Sequence, residues 1–374
     1  MKILFTGGGS GGHFFPIISV ARAMRALAES EHIVDLNFFL IGNEVIDLQM
    51  LKNEDIKFIK ISAGKIRRYF SPKYFVDSIK LFLGVIKAFW RVYLLMPDVV
   101  FSNGGYASFP GLFAAKWLKI PVVIHSADLV PGIVVKWAGN WASRIAVSFP
   151  ESIKYFEGKN VEIVGNPIRS QVVGGNEKEA IETFKLEEGI PVLLILGGSQ
   201  GSEKINDVIL SLLNEILSKY QIIHQTGENN YSDIISRTGI SLNKNEFKSR
   251  YHPKAFLSES DLRNASKVAS LVVIRAGAGL IFEVAAWGAP SILIPLKNSA
   301  QDHQRENAYA YARSGACEVI EETNLAPHLL FAAISRVLED KAKIEHMRSA
   351  ALNFAKPNAA DRIASEIIKL GLHD

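Results

Sequence analysis

The sequence predicts an α/β protein made of two doubly wound domains, each a parallel sheet with helices on its faces and both sheets facing a central cleft. Three observations predict it. Apolar, β-branched runs alternate with helix-patterned stretches from end to end, the sequence form of parallel strands joined by crossover helices. Glycine-rich turns stand where strands should hand over to helices, at Gly7-Gly8-Gly9-Ser10-Gly11-Gly12-His13, Ser102-Asn103-Gly104-Gly105-Tyr106 and Leu196-Gly197-Gly198-Ser199-Gln200-Gly201. The length, 374 residues, exceeds what one domain usually takes and suits two of about 150–200.

Strands are expected near 2–6, 34–41, 57–61, 98–101, 121–124, 144–147 and 161–164 in the first half. In the second half they are expected near 191–196, 221–225, 249–252, 271–274, 291–294 and 317–320. Val164-Gly165-Asn166-Pro167-Ile168-Arg169 punctuates the chain with Gly and Asn-Pro before a fresh helix-strand series. It separates a first domain, 1–164, from a second, 165–355. In the remainder, 356–374, a last helix at about 359–371 follows Lys356-Pro357-Asn358 and is free to pack back on the first domain.

Composition narrows the class. With 48% hydrophobic and 21% charged residues and no low-complexity tract, the chain is that of a soluble globular protein. Cys317 is the only cysteine, which excludes an internal disulfide and a cysteine-rich metal site and fits a reducing compartment. The N-terminus opens directly on a strand, Lys2-Ile3-Leu4-Phe5-Thr6, with no charged leader and apolar plug, so a cytoplasmic location is expected. No run reaches the ~18 apolar residues of a spanning helix; Ile79 to Trp90 is broken by Lys80 and Lys87.

From Ile56 to Pro97 there are nine Lys or Arg and a single acid, Asp77, in a chain whose net charge is only +4. On a helix, Lys73, Lys80, Lys87 and Arg91 share one stripe, and Phe75, Ile79, Phe82, Ile86 and Phe89 another. Such a surface suits an anionic membrane face; the same aromatic stripe could equally be domain core with a solvated lysine face. No nucleic-acid-binding module is recognisable.

The turns carry the chemistry. A helix start leaves about four N–H groups unpaired with a partial positive charge, and glycine lets an anion approach that backbone. Three such turns suit two diphosphate-bearing ligands. Gly7-x-Gly9-x-x-Gly12 also satisfies the dinucleotide fingerprint, which makes an NAD-dependent oxidoreductase a rival. Its acidic ribose partner is missing from the end of the second strand, where Leu40-Ile41-Gly42 is apolar and Glu44 lies beyond. His13 and Pro16 follow the glycines instead. A histidine in the first helical turn beside an anion site is a candidate general base, or a structural cap. Ile274-Arg275-Ala276-Gly277-Ala278-Gly279 is a fourth strand-turn-helix segment and places Glu283 in an apolar helix. A carboxylate there needs a partner, either ribose hydroxyls or an ion pair. Asp302-His303-Gln304-Arg305-Glu306-Asn307 offers amides and imidazole suited to sugar hydroxyls, though alone it would pass for a polar helix start. No two aspartates stand at i and i+2, so an Asp-x-Asp metal site is absent. No lysine follows the turns as in a P-loop.

Six pieces in order resemble one family: Gly8-Gly9-Ser10-Gly11-Gly12-His13-x-x-Pro16, Gly104-Gly105-Tyr106-x-Ser108-x-Pro110, Gly165-Asn166-Pro167-Ile168-Arg169, Gly197-Gly198-Ser199-Gln200-Gly201, Arg275-Ala276-Gly277 with Glu283, and Asp302-x-Gln304-x-x-Asn307. Together they are similar to the MurG family, the peptidoglycan N-acetylglucosaminyltransferases of the GT-B fold. The resemblance implies inverting, metal-independent transfer of GlcNAc from UDP-GlcNAc to lipid I, without a cofactor, at the cytoplasmic face of the plasma membrane, forming lipid II. It implies that Ser10, Gly11, Gly12, Gly104, Gly105 and Tyr106 hold the acceptor diphosphate and that His13 is the candidate base. Arg169 and Ser199 would meet the UDP phosphates, Leu257 the uracil, Glu283 the ribose, and Gln304 and Asn307 the GlcNAc. Gln200, Gly277 and Asp128 are also placed on the donor side.

The chain departs from the pattern after His125, where the family usually has Glu and later Asn and this sequence has Ser126 and Val135. Asp128 stands where it could take part of that role. Ser102 replaces a common glycine, and His303 a frequent amide. Two further readings stay open: a GT-B enzyme moving a hexose onto diacylglycerol, and a non-catalytic membrane scaffold.

Overall fold

The computed structural model describes residues 1–30, 32, 35–61, 73–198 and 200–372, with only the backbone of 73–81. The chain divides into one unit of Met1–Ile168 with Lys356–Asp374 and another of Arg169–Ala355.

In the first unit the chain runs β1 (Lys2–Thr6), α1 (Gly11–Ser30), β2 (Asn37–Gly42), α2 (Leu48–Asn53), β3 (Ile56–Lys60) and α3 (Lys73–Leu95), then β4 (Val99–Ser102), α4 (Phe109–Trp117), β5 (Val122–Ser126), α5 (Ile133–Gly139), β6 (Arg144–Val147) and β7 (Val161–Ile163). All pairings are parallel, in the order β3-β2-β1-β4-β5-β6-β7. The central strands are buried throughout, which is why residues 99–101 and 122–124 appear in the sequence as apolar runs. The strand expected at 121–124 extends through His125 and Ser126, because both polar side chains find partners at the sheet edge.

The second unit runs α6 (Glu177–Phe184), β8 (Val192–Leu196), α7 (Glu203–Leu217), β9 (Gln221–Gln225), α8 (Tyr231–Ser241), β10 (Tyr251–Lys254) and α9 (Glu259–Val268), then β11 (Ala269–Ile274), α10 (Ala278–Trp287), β12 (Ser291–Leu293), α11 (His303–Ala312), β13 (Cys317–Val319), α12 (Pro327–Leu338) and α13 (Lys341–Phe354). Its parallel sheet has the order β10-β9-β8-β11-β12-β13. The strand expected at 249–252 starts at Tyr251, since Lys248–Arg250 forms a single 3-10 turn.

The last helix, α14 (Ala359–Leu372), lies in the first unit against α1. Its stripe of Ala360, Ile363, Ala364, Ile367 and Ile368 joins the core formed by β1, α1, β2 and β4. Among the described residues no helix is long and apolar enough to cross a membrane.

Each sheet has one topological switch point. In the first the chain winds outward from β1 to β3 and returns past β1 to β4; in the second it winds outward from β8 to β10 and returns past β8 to β11. Open α/β sheets bind ligands beyond the carboxyl ends of strands at that point. Registers are level there, Thr6 opposite Ser102 and Leu196 opposite Ile274. The first two glycine turns therefore leave one sheet side by side, and the third turn leaves the other beside Arg275-Ala276-Gly277.

Candidate active site

At the first switch point, α1 begins at Gly11, and its opening turn leaves the Gly11 and Gly12 amides at the end of the helix. His13 sits in that turn with Nδ1 2.9 Å from the Asn103 carbonyl oxygen. A carbonyl only accepts, so Nδ1 carries the proton and Nε2 is the basic nitrogen of the neutral ring. Gly105, at φ +84°, lies against this ring: a Cβ there would come 3.0 Å from Cδ2 and 3.2 Å from Nε2 of His13. Asn43, after β2, donates to the Tyr106 hydroxyl at 3.0 Å. The second turn spends part of its own backbone, since the Gly104 N–H goes to Ser102 Oγ at 3.2 Å. Ser102, standing where glycine is common, thus stiffens the turn.

Val135, the apolar departure, packs on the same turn, with Cγ2 2.6 Å from where a Gly104 Cβ would be. Ser126 Oγ donates to the Asp128 carbonyl oxygen at 3.1 Å. Asp128, expected on the donor side, belongs to the first unit, just beyond β5 and within electrostatic reach of His125. Burial lowers the His125 pKa to about 4, against the opposing pull of the Gly165 carbonyl and Asp128.

At the second switch point, Ser199 lies outside the described residues. Around it, Gly201 has φ +75°, and a Cβ there would lie 2.0 Å from the Thr226 carbonyl oxygen, so glycine is obligatory. Ser202 caps α7 by accepting from Ile205 N. Gln200 is exposed beside it. Gln225, at the end of β9, donates to the Gly198 carbonyl at 3.1 Å and accepts from Leu257 N at 3.0 Å. That amide ties the phosphate-type turn to the loop carrying Leu257.

Glu283 and Arg169, expected to meet ribose and phosphate separately, meet each other. Arg169 Nε and Nη2 donate to the two Glu283 carboxylate oxygens at 2.8 and 2.9 Å, and both side chains are buried. Burial alone would lower the guanidinium pKa; the adjacent carboxylate reverses this and holds it above its ordinary value. Asn307 is fully buried and donates to the Ala276 carbonyl at 3.3 Å, bracing the turn that contains Gly277. Gln304 accepts from Leu296 N at 2.9 Å through its Oε1. A Cβ at Gly277 would meet nothing within 4 Å.

Sequence reasoning misses several connecting residues. Arg275 donates to Ser202 Oγ at 2.6 Å and to the Ile294 carbonyl at 3.2 Å, and it pairs with Glu322. Glu322 in turn accepts from Lys297 N at 2.9 Å. Asn103 and Gln225 act the same way elsewhere. Their shared signal is a polar residue at the carboxyl end of an apolar strand.

Of the basic aromatic stretch, Lys65, Arg67 and Arg68, and the side chains of Lys73, Phe75, Asp77, Ile79 and Lys80, lie outside the described residues. In the described remainder of α3, Phe82 and Trp90 are 65% and 58% exposed, and Lys87 and Arg91 are exposed beside them. An open groove of about 600 Å³ between α3 and α4 is lined by Phe82, Ile86, Phe89, Trp90, Phe109 and Phe113.

Residues 3–147 match the glycosyltransferase family 28 N-terminal domain, and residues 192–363 its C-terminal domain. The chain is 35% identical over 342 residues, 91% of this chain and 92% of the relative, to a Clostridium botulinum protein named UDP-N-acetylglucosamine–N-acetylmuramyl-(pentapeptide) pyrophosphoryl-undecaprenol N-acetylglucosamine transferase. A Borreliella burgdorferi protein of the same name is 34% identical over 370 residues, 98% of this chain and 96% of the relative. The crystal structure of Acinetobacter baumannii MurG superposes with a TM-score of 0.73 at 22% identity, covering 98% of this chain and 99% of that one, a likeness of fold.

Proposed function

This chain belongs to the MurG family of glycosyltransferase family 28, and from that membership we propose how its residues divide the work. It is a UDP-GlcNAc-dependent N-acetylglucosaminyltransferase that converts lipid I to lipid II. The names of its relatives favour this acceptor over diacylglycerol, and the dinucleotide fingerprint at Gly7-x-Gly9-x-x-Gly12 serves another ligand.

The observation that carries the division is the pairing of turns at the two switch points. In the first unit, the amides of Ser10, Gly11, Gly12 and Gly105 hold the acceptor diphosphate, and Tyr106 lines that side with its hydroxyl oxygen already bonded to Asn43. The acceptor 4-hydroxyl attacks the anomeric carbon of GlcNAc, its proton passes to His13 Nε2, and the bond from that carbon to the UDP oxygen breaks with inversion. In the second unit, the start of α7 with Ser199 and Gln200 holds the phosphates and takes up charge on the departing UDP without a metal. The Glu283 carboxylate bonds the ribose on the lone-pair directions that Arg169 leaves. Leu257 offers uracil its carbonyl, because its N–H is spent on Gln225. Gln304 turns its NH₂ to the sugar, with Asn307 supporting from behind.

The exposed aromatic and basic face of α3 supports peripheral docking on an anionic membrane at its cytoplasmic side, where the acceptor lipid is held. The division is tested by calorimetry with UDP and, separately, a soluble polyprenyl diphosphate. Glu283→Ala should abolish UDP binding and leave the diphosphate bound, and Gly105→Ala should do the reverse; loss of both ligands in either variant contradicts it.

A further inference from the structure

We propose that Asn103, held in place by His125, is the positioning residue that fixes His13 in the Nδ1–H tautomer and keeps Nε2 as the proton-accepting nitrogen. This rests on the reading of His13 as the base. The observation is a chain of hydrogen bonds along the carboxyl edge of the first sheet. It links the segments that follow β1, β4, β6 and β7 with His125 near the end of β5, and these five strands are adjacent in the sheet.

Asn103 grips the His13 segment twice. Its carbonyl oxygen accepts from His13 Nδ1 at 2.9 Å, and its side-chain Nδ2 donates to the Gly12 carbonyl at 2.9 Å. The ring and the peptide preceding it are thus tied to one residue, so neither rotates without breaking a bond. The donor bond to Gly12 also settles which end of the carboxamide faces which way: the other end is oxygen, and it accepts from His125 Nδ1 at 2.6 Å. His125 Nε2 in turn lies 3.1 Å from Ser148 Oγ and 2.9 Å from the Gly165 carbonyl oxygen.

Donors and acceptors order this chain. Asn103, His125 and Ser148 are all at most 3% exposed, and burial keeps His125 neutral at pH 7. A neutral ring has one N–H for two acceptor-only oxygens, Asn103 Oδ1 at 2.6 Å and the Gly165 carbonyl at 2.9 Å; the shorter contact takes it on Nδ1, and Nε2, next to a hydroxyl that can donate, is left as the acceptor. Ser148 then donates to Nε2. Proton donation runs from Ser148 to His125 to Asn103 to Gly12, and separately from His13 to Asn103. A buried polar chain of this kind costs more than apolar packing unless every member is satisfied. Here it ends on the imidazole that faces the acceptor turns.

The test compares Asn103→Leu, Asn103→Asp, His125→Leu and His125→Gln with the wild type, using kcat, the donor KM and ¹⁵N shifts of histidine-labelled protein. Leu at 103 removes the carboxamide; Gln at 125 keeps a donor toward Asn103. The expected result is a kcat lowered ~10–100-fold in Asn103→Leu and His125→Leu, as for a misplaced catalytic group. Donor KM should stay within about twofold, the His13 ring should lose its Nδ1–H signature, and His125→Gln should restore both. Asn103→Asp, which keeps the acceptor but loses the donor to Gly12, should fall between. Should the leucine variants misfold, the Asp and Gln variants carry the comparison. The inference is overturned by an unchanged His13 signature in a folded Asn103 variant, or by kcat and donor KM failing together with thermal stability. Full turnover by His13→Ala would instead sink the reading of His13 as base, while the ¹⁵N signature would still report on the positioning.

Discussion

Glu283 shows how one buried carboxylate constrains everything placed around it. An unpaired charge in an apolar helix is prohibitively costly, and Arg169 supplies a bidentate partner from 114 positions away. Removing one member leaves the other charged and buried, so Glu283→Ala should cost roughly 3–5 kcal/mol in urea unfolding, whereas the neutral isostere in Glu283→Gln should cost less because it still bonds the guanidinium. Equal stability of Glu283→Ala and wild type would show that the pair contributes nothing. At Gly105 the constraint is steric and conformational. A methyl at φ +84° strains the backbone and pushes on the His13 ring, so Gly105→Ala should lower kcat ~100-fold with a melting temperature within a few degrees of wild type. Unchanged turnover would mean the ring has room to move. The glycines were legible because side-chain-bearing residues rarely adopt the positive φ that Gly105 and Gly201 hold. The partner of Glu283 was not, because an arginine in a loop after Asn-Pro gives no sign of where its fork points.

The strands were the most legible elements. Parallel strands buried on both faces, such as Val192–Leu196, are continuous apolar runs, and their ends are marked by the glycine turns. His125 and Asn103 escaped notice as functional groups for the same reason: polar residues closing an apolar run, as in Ser102-Asn103 and His125-Ser126, look like the end of a strand. Helix α3 was legible in its two stripes but ambiguous in their meaning. The structure separates them, with Ala88 and Val92 in the core and Phe82, Ile86 and Trp90 outward. Exposed aromatics cost nothing to remove from the folded state, so Phe82→Ser with Trp90→Ser should leave the melting temperature unchanged. Binding to vesicles containing anionic lipid should weaken ~10-fold or more, on the scale of about 1.5–3 kcal/mol per buried aromatic ring. Unaltered vesicle binding would remove α3 from the docking surface.

For the molecule as a whole, buried neutral histidines impose a pH dependence on stability. His125 in the first unit, with a pKa lowered to about 4 by burial, and His224 in the second, lowered to about 3 by burial, titrate near 6.5 when unfolded. Between the folded and unfolded values the unfolded chain binds the proton and the folded chain does not. Stability therefore rises with pH across that window, is fully present above about 6.5 and is lost as pH falls toward 4. For His125 alone this amounts to about 3 kcal/mol, measurable as a shift of the urea midpoint between pH 7.5 and pH 5 that His125→Gln should reduce. A midpoint independent of pH in the wild type would contradict it. The switch points organise the chemistry at the same scale: each sheet holds one pair of turns, and the nucleotide-suited acid lies in the second. The measurement that tests the central claim most directly is transfer of labelled GlcNAc from UDP-GlcNAc to a short-chain lipid I analogue, with the configuration of the new bond determined. Label is expected in the acceptor with inversion, and His13→Ala should lose about 10²–10⁴-fold in kcat; a folded wild-type protein that binds UDP-GlcNAc yet transfers none would overturn this assignment.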